Sequence, residues 1–125
     1  MKRSCEAVAV TKLILELFRL NGQLLSAGDR LSKPAGLTSA RWQVLGAIEL
    51  AGCPLTVPQI GRRMGISRQA VQRIANDLDA LGLITFDHNP DHARAKLVTP
   101  TENGRDVLAR VDIRQIKWSN ELTPK

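Results

Sequence analysis

Apolar and polar residues alternate along this chain in two distinct rhythms. From about Glu6 to about Ala27 there is no proline, and Lys12, Glu16, Arg19 and Gln23 recur at helical spacing, which predicts a helix carrying one narrow polar stripe. Nearly everything else on it is apolar. Val10, Leu13, Ile14, Leu15, Leu17, Phe18, Leu20, Leu24 and Leu25 cover more of this helix than one small domain can bury. Such a surface belongs either to a central core helix or to a helix that meets a second chain.

Downstream the rhythm breaks into shorter units. "DRLSKPAGLT" reads as a loop marked by Pro34 and Gly36, and Thr38 as the N-cap of a helix "SARWQVLGAIELAG" that ends at Gly52 and Pro54. Trp42, Leu45 and Ile48 fall on one of its faces. A short helix over about Val57 to Met64 tolerates Pro58 in its first turn, where the missing amide would be unpaired anyway. Gly65 breaks it, Ser67 caps the next helix, and Gly82 stops that one after Leu81. "LITF" begins a strand, "DHNPDH" is a hairpin turn, "ARAKLVT" is the return strand, and Thr101 caps a last helix reaching toward Leu122. This order predicts a mostly α fold with a small two-stranded β wing, a winged helix-turn-helix. Within the steep helix pair, Ile60 and Met64 read as core, Gly61 as a point of close approach and Gly65 as the tight turn, while Ile66, Val71, Ile74 and Leu78 anchor the second helix.

Charge then separates the outer face of that helix from an ordinary solvated one. The chain of 125 residues has a net charge of +6 and a pI near 10.0, which favours a polyanionic partner, nucleic acid or a membrane surface. Between Glu49 and Asp77 there is no acid, whereas Arg62, Arg63, Arg68 and Arg73 supply positive charge. Subtracting the buried positions leaves Arg68, Gln69, Gln72, Arg73 and Asn76 outward, with Arg68, Gln72 and Asn76 aligned one turn apart. Arg reads guanine and Gln or Asn reads adenine through paired hydrogen bonds in the major groove, so this face predicts contact with double-stranded DNA. Thr38, Ser39 and Arg41, where a helix N-terminus presents amides to anions, are further candidates for phosphate contact; for Arg41 the alternative is a surface ion pair with Glu49 or a neighbour.

These residues resemble the MarR family, the multiple antibiotic resistance type of bacterial transcriptional regulators. "GLTSARWQVLGAI" is similar to the family's second helix, "LTVPQIGRRMGISRQAVQRIANDLDALGLI" to its helix-turn-helix, and "NPDHARAKLVTPTENGRDVL" to its wing and fifth helix. Pro90, Arg94, Ala95, Val98, Thr101 and Gly104 match the wing pattern; Asn89, His92, Ala93 and Pro100 depart from it. The resemblance implies one domain over residues 1–125, with a winged lobe at 37–100 and flanking dimerisation helices at 6–27 and 101–122. It further implies a homodimer, most often a repressor, that reads a near-palindromic operator. Its recognition helices, with Arg62 and Ser67 beside the base-reading residues, enter successive major grooves, and wing-tip Arg94 enters the minor groove. Asp91 is a candidate to fix Arg94. Dimer contacts are expected at Leu13, Leu17, Val111, Trp118 and Leu122, and the chain stops at Lys125, earlier than the family usually does.

Other chemistry has less support. His88 and His92 lack a Cys or carboxylate partner at ligand spacing, so no metal and no cofactor is expected. Cys5 and Cys53 form no disulfide framework, and a peroxide-sensing role for Cys5 lacks the hydrogen-bonding tyrosines of the family's sensing branch, since the chain has no Tyr. No catalytic constellation or Gly-rich phosphate loop is evident, so an enzyme is not expected. No apolar run approaches the roughly 18 residues of a membrane span, and the start is not a signal segment, which points to a bacterial or archaeal cytosol, near the nucleoid. A cleft near Leu17, Trp42 and the last helix is apolar enough for a small aromatic effector. The rival reading is a winged-helix module that docks protein without specific DNA binding.

Overall fold

The computed structural model describes residues 1–124, and its elements follow the predicted order with two additions, a 3-10 turn and a third strand. Helix α1 spans Cys5–Ser32 and runs into a short 3-10 turn at Lys33–Ala35; α2 spans Ser39–Ala51, α3 Val57–Met64, α4 Arg68–Ala80 and α5 Glu102–Leu122. Strand β1 covers Leu55–Thr56, β2 Ile84–Asp87 and β3 Leu97–Pro100. The expected loop from Asp29 onward is thus corrected: the last turn of α1 continues to Ser32, because no proline intervenes before Pro34 and because Leu31 and Ser32 are buried there.

Side-chain caps set the helix starts. Thr38 Oγ1 accepts from the Arg41 amide at 3.3 Å, Ser67 Oγ from Ala70 at 3.1 Å, and Thr101 Oγ1 from Gly104 at 3.0 Å. Thr56 and Gln59 form a reciprocal capping box at the start of α3, a pattern carried by "TVPQ" in the sequence. Between α3 and α4 two glycines act differently. Gly65 takes φ of 70°, open at low cost only to residues without a Cβ, whereas a Cβ at Gly61 would stand 2.9 Å from the Ile66 carbonyl oxygen.

The sheet is antiparallel in the order β1-β3-β2. Its β2–β3 pair is the predicted wing, with Ile84 opposite Pro100 and Asp87 opposite Leu97. The third strand joins on the other side of β3, Leu55 opposite Val98. The return strand is shorter than expected, since Ala93 to Lys96 belong to the wing loop. There Asp91 N–H donates to Asn89 Oδ1 at 3.0 Å, and successive turns link His92 to Asn89 and Ala95 to His92.

Val44, Leu45 and Ile48 of α2, Ile60 of α3, Val71, Ala75 and Leu78 of α4, Ile84, Val98, and Val107, Leu108 and Val111 of α5 form one continuous core. Met64, Ile74 and Trp42 pack at its edge, but Ile66 is exposed, so it does not anchor α4 as expected; Ala75 takes that inner face instead. Val111 is also a correction. It is fully buried inside the lobe and has no surface left for a second chain.

Outside this core, α1 buries only Ala27, Gly28, Leu31 and Ser32. A few polar contacts join that end to the lobe. Ser39 N–H donates to Asp29 Oδ1 at 2.7 Å, Arg114 Nε to the Leu31 carbonyl at 3.0 Å, and Leu37 N–H to the Ser32 carbonyl at 3.1 Å. Among the described residues no helix is long and apolar enough to cross a membrane.

Candidate nucleic-acid interface

The amphipathic pattern of α4 decides which of its side chains are available. Val71, Ala75 and Leu78 are fully buried and Ala70 and Ile74 are half-buried, while Arg68, Gln69, Gln72, Arg73 and Asn76 are exposed, as are Asp77, Asp79 and Ala80 in its last turns. The structure therefore brings the five predicted base-facing residues onto one surface. Arg62 and Arg63, both exposed near the end of α3, flank it, and a groove lined by Pro58, Gly61, Arg62, Gly65, Ile66, Ser67 and Arg68 lies where the two helices meet. No ion pair among the described residues neutralises Arg62, Arg68 or Arg73. Positive charge on this face is left to an outside anion.

The start of α2 is less open than its sequence suggests. Ser39 is buried, its amide is held by Asp29, and its Oγ accepts from Gln43 Nε2 at 3.2 Å. This removes Ser39 from the phosphate candidates: a carboxylate from α1 already occupies the position an anion would take. Nothing local to Ser39 signals this, because the carboxylate comes from the preceding element. Thr38 stays exposed, with its hydroxyl engaged in capping. Arg41 pairs with Asp77 of α4, Nη2 to Oδ2 at 3.4 Å, while Glu49 pairs with Arg105 at 3.6 Å. The partner of Arg41 is thus Asp77 and not Glu49. Asp77, the first acid after the arginine face, ties the start of α2 to α4.

Arg94 is exposed in the wing loop between β2 and β3. Asp91 makes no ion pair with it among the described residues; the Asp91 backbone amide instead closes the turn on Asn89. The remaining dimer candidates sit on the outside. Leu13, Leu17 and Leu122 are 59%, 53% and 65% exposed, and Trp118 is half-buried. Of the residues expected at an effector cleft, Trp42 lines a surface groove of about 530 Å³ between α2 and α5, with Gln43, Gly46, Glu49, Leu50, Leu108 and Asp112; Leu17 does not line it. Cys5, in α1, and Cys53, in the connection between α2 and β1, are exposed free thiols.

Comparison with known proteins places this arrangement. The sequence model of the MarR family matches residues 35–95, which hold α2, α3, α4 and the wing loop. An uncharacterized protein of Mycobacterium tuberculosis is 43% identical over 113 residues, 90% of this chain and 78% of that one. The transcriptional activatory protein BadR of Rhodopseudomonas palustris is 29% identical over 108 residues, 82% of this chain and 62% of that one. The crystal structure of the M. tuberculosis transcriptional regulator MosR in complex with DNA superposes with a TM-score of 0.75 at 26% identity, covering 88% of this chain and 79% of that one. With its helix-turn-helix, two-stranded wing and matched residues, the chain belongs to the MarR family of transcription regulators.

Proposed function

We propose that two copies of this chain bind one near-palindromic duplex as a repressor. Each α4 lies in a major groove with Arg68, Gln69, Gln72, Arg73 and Asn76 toward base edges and backbone, and Arg62, Ser67, Thr38 and Arg41 lie near phosphates. Arg94 reaches into the adjacent minor groove, where a narrow A·T-rich stretch concentrates negative potential. The observation that carries this reading is the outer face of α4: exposed throughout, bearing arginines without acidic partners, and backed by a helix side that is buried. A relative of the same fold, MosR, is bound to DNA in its crystal structure.

Dimerisation supplies the symmetry that a palindrome requires. The long apolar coat of α1 and the exposed Ile113, Ile116 and Leu122 of α5 are the surface for the second copy. A small aromatic effector fits the groove between α2 and α5, with Trp42, Leu50 and Leu108 as apolar walls; because α2 begins at the contact between Arg41 and Asp77, a ligand there acts on the orientation of α4.

Selection from random duplexes, with the enriched pool sequenced, tests the reading. A near-palindrome with half-sites about one helical turn, roughly 10 bp, apart is the expected result. Binding to it should weaken steeply between low and moderate salt, as counterion release requires. A pool with no common motif, bound equally at all salt concentrations, would contradict specific DNA recognition and favour a protein-docking module.

A further inference from the structure

Within the outer face of α4 two recognition side chains touch each other. Gln72 Nε2 donates to Asn76 Oδ1 at 2.9 Å, one helical turn further on. Both residues are exposed, so burial does not force the pair together; the spacing does, since a Gln donating to an Asn four residues on is a favourable helical pairing. In this pairing the Gln72 amide takes one polarity. An unrestrained glutamine can rotate its terminal amide by half a turn and offer either oxygen or nitrogen to a groove. Here the nitrogen is turned along the helix toward Asn76, and Oε1 is left on the other side.

Resting on the DNA-binding reading above, we infer that Asn76 is a positioning residue that sets the polarity of the Gln72 amide, so that Gln72 presents an acceptor and selects a base with an exocyclic amine in the major groove. Adenine offers N6–H₂ and cytosine N4–H₂ on that edge. Guanine offers only the acceptors O6 and N7, and thymine only O4 and a methyl group. Gln72 therefore favours adenine or cytosine over guanine or thymine at its position. Asn76 Nδ2 remains as a separate donor for a neighbouring N7, O6 or O4. Asn76 thus contributes to specificity twice, once through its own amide and once through the orientation of Gln72.

The test is duplex selection with the intact protein and four variants, Gln72→Ala, Asn76→Ala, Asn76→Leu and Asn76→Asp. Gln72→Ala identifies the position that Gln72 reads, as the one whose preference it flattens. At that position the unaltered protein should enrich adenine or cytosine about fivefold or more over guanine and thymine, the scale of one mismatched base. Asn76→Ala and Asn76→Leu, which both remove the acceptor for Gln72, should flatten the same position although Gln72 is intact. Asn76→Asp keeps an acceptor there and should preserve the preference, while lowering affinity for every sequence by adding negative charge near phosphates. Retention of the adenine or cytosine preference in both Asn76→Ala and Asn76→Leu would overturn the inference, as would enrichment of guanine or thymine by the unaltered protein, or a Gln72→Ala variant that changes no position. If the unaltered protein selects no motif, the DNA-binding reading itself fails. Failure confined to the Asn76 variants leaves that reading standing and removes only the positioning role.

Discussion

The winged lobe and the first twenty-odd residues of α1 are both rich in leucine, isoleucine and valine, yet they dispose of them in opposite ways. In the lobe, Leu45, Ile48, Ile60, Leu78 and Ile84 are all but inaccessible to solvent. Along α1, Leu13, Ile14, Leu15, Leu17, Phe18, Leu20, Leu24 and Leu25 are all exposed. Composition is the same and environment is not, so hydrophobicity alone says nothing about where a residue goes. What differs is periodicity. The apolar residues of α3 and α4 keep to one stripe that one core can cover, while those of α1 wrap most of the helix. The lobe completes itself; the single chain leaves the apolar surface of α1 uncovered.

The strongest test of that contrast removes matched side chains from the two regions. Leu78→Ala opens a cavity in the fully buried core and should cost about 2–5 kcal/mol of unfolding free energy. Phe18→Ala, at a residue 70% exposed, should leave the unfolding of a dilute sample almost unchanged. Denaturant titrations at low protein concentration make the comparison, and equal losses would erase the distinction. Next in size is the effect on assembly. Leu13→Glu combined with Leu17→Glu places unpartnered charges on the proposed dimer surface, and the dissociation constant should rise by about two orders of magnitude or more. Sedimentation over a concentration series reads this directly; an unaltered sedimentation profile would take α1 out of the interface.

Recognition should be separable from both. Arg68→Ala and Gln72→Ala each remove an exposed side chain from α4, so thermal stability should barely move. Binding to the selected site should weaken by about 1–3 kcal/mol, with preference relaxed at particular positions. Equal weakening on random DNA would assign both residues to phosphates instead of bases. Smaller again is the joint between the regions. Asp29→Ala deprives the Ser39 amide of its acceptor at the start of α2 and should cost about 1 kcal/mol, the usual worth of a helix cap. Comparing its unfolding with that of Asp29→Asn, which keeps an oxygen in place, separates the loss of the hydrogen bond from the loss of charge.

Much of this architecture is legible in local chemistry. Thr38, Ser67 and Thr101 cap helices as their residue types predict, and Gly61 and Gly65 do what the helix-turn-helix spacing asks of them. Ser39 and Val111 depart from their local pattern for one shared reason, which is that a distant element fixes each residue's environment. Ser39 looks like a phosphate ligand until Asp29 of α1 occupies its amide. Val111 looks like an interface residue until α5 is laid across the lobe, which buries it completely. Two residues, Leu55 and Thr56, are too few to show any alternation, so the third strand is defined only by its pairing with β3. The face of α4 was readable for the opposite reason: helical periodicity alone sorts its inner from its outer positions, and no distant element covers the outer ones.

The wing provides the smallest and most selective effect. Arg94 is exposed in a loop held by a sequence of turns around Asn89, and no carboxylate among the described residues fixes its guanidinium. Ordering a free arginine costs about 2 kcal/mol of rotamer entropy, which offsets most of what one contact in a groove returns. Arg94→Ala should therefore weaken binding by less than about 1 kcal/mol on an average duplex and lower the salt dependence by about one counterion. The loss should grow where the flank beside the half-site is A·T-rich, because a narrow minor groove deepens the potential that holds the guanidinium. Anisotropy titrations on two duplexes that differ only in that flank, each at several salt concentrations, isolate the term. A larger loss on the A·T-rich flank places Arg94 in the minor groove. The same loss on both flanks makes it a phosphate contact, and no loss on either leaves the wing without a role in binding, with recognition confined to α4.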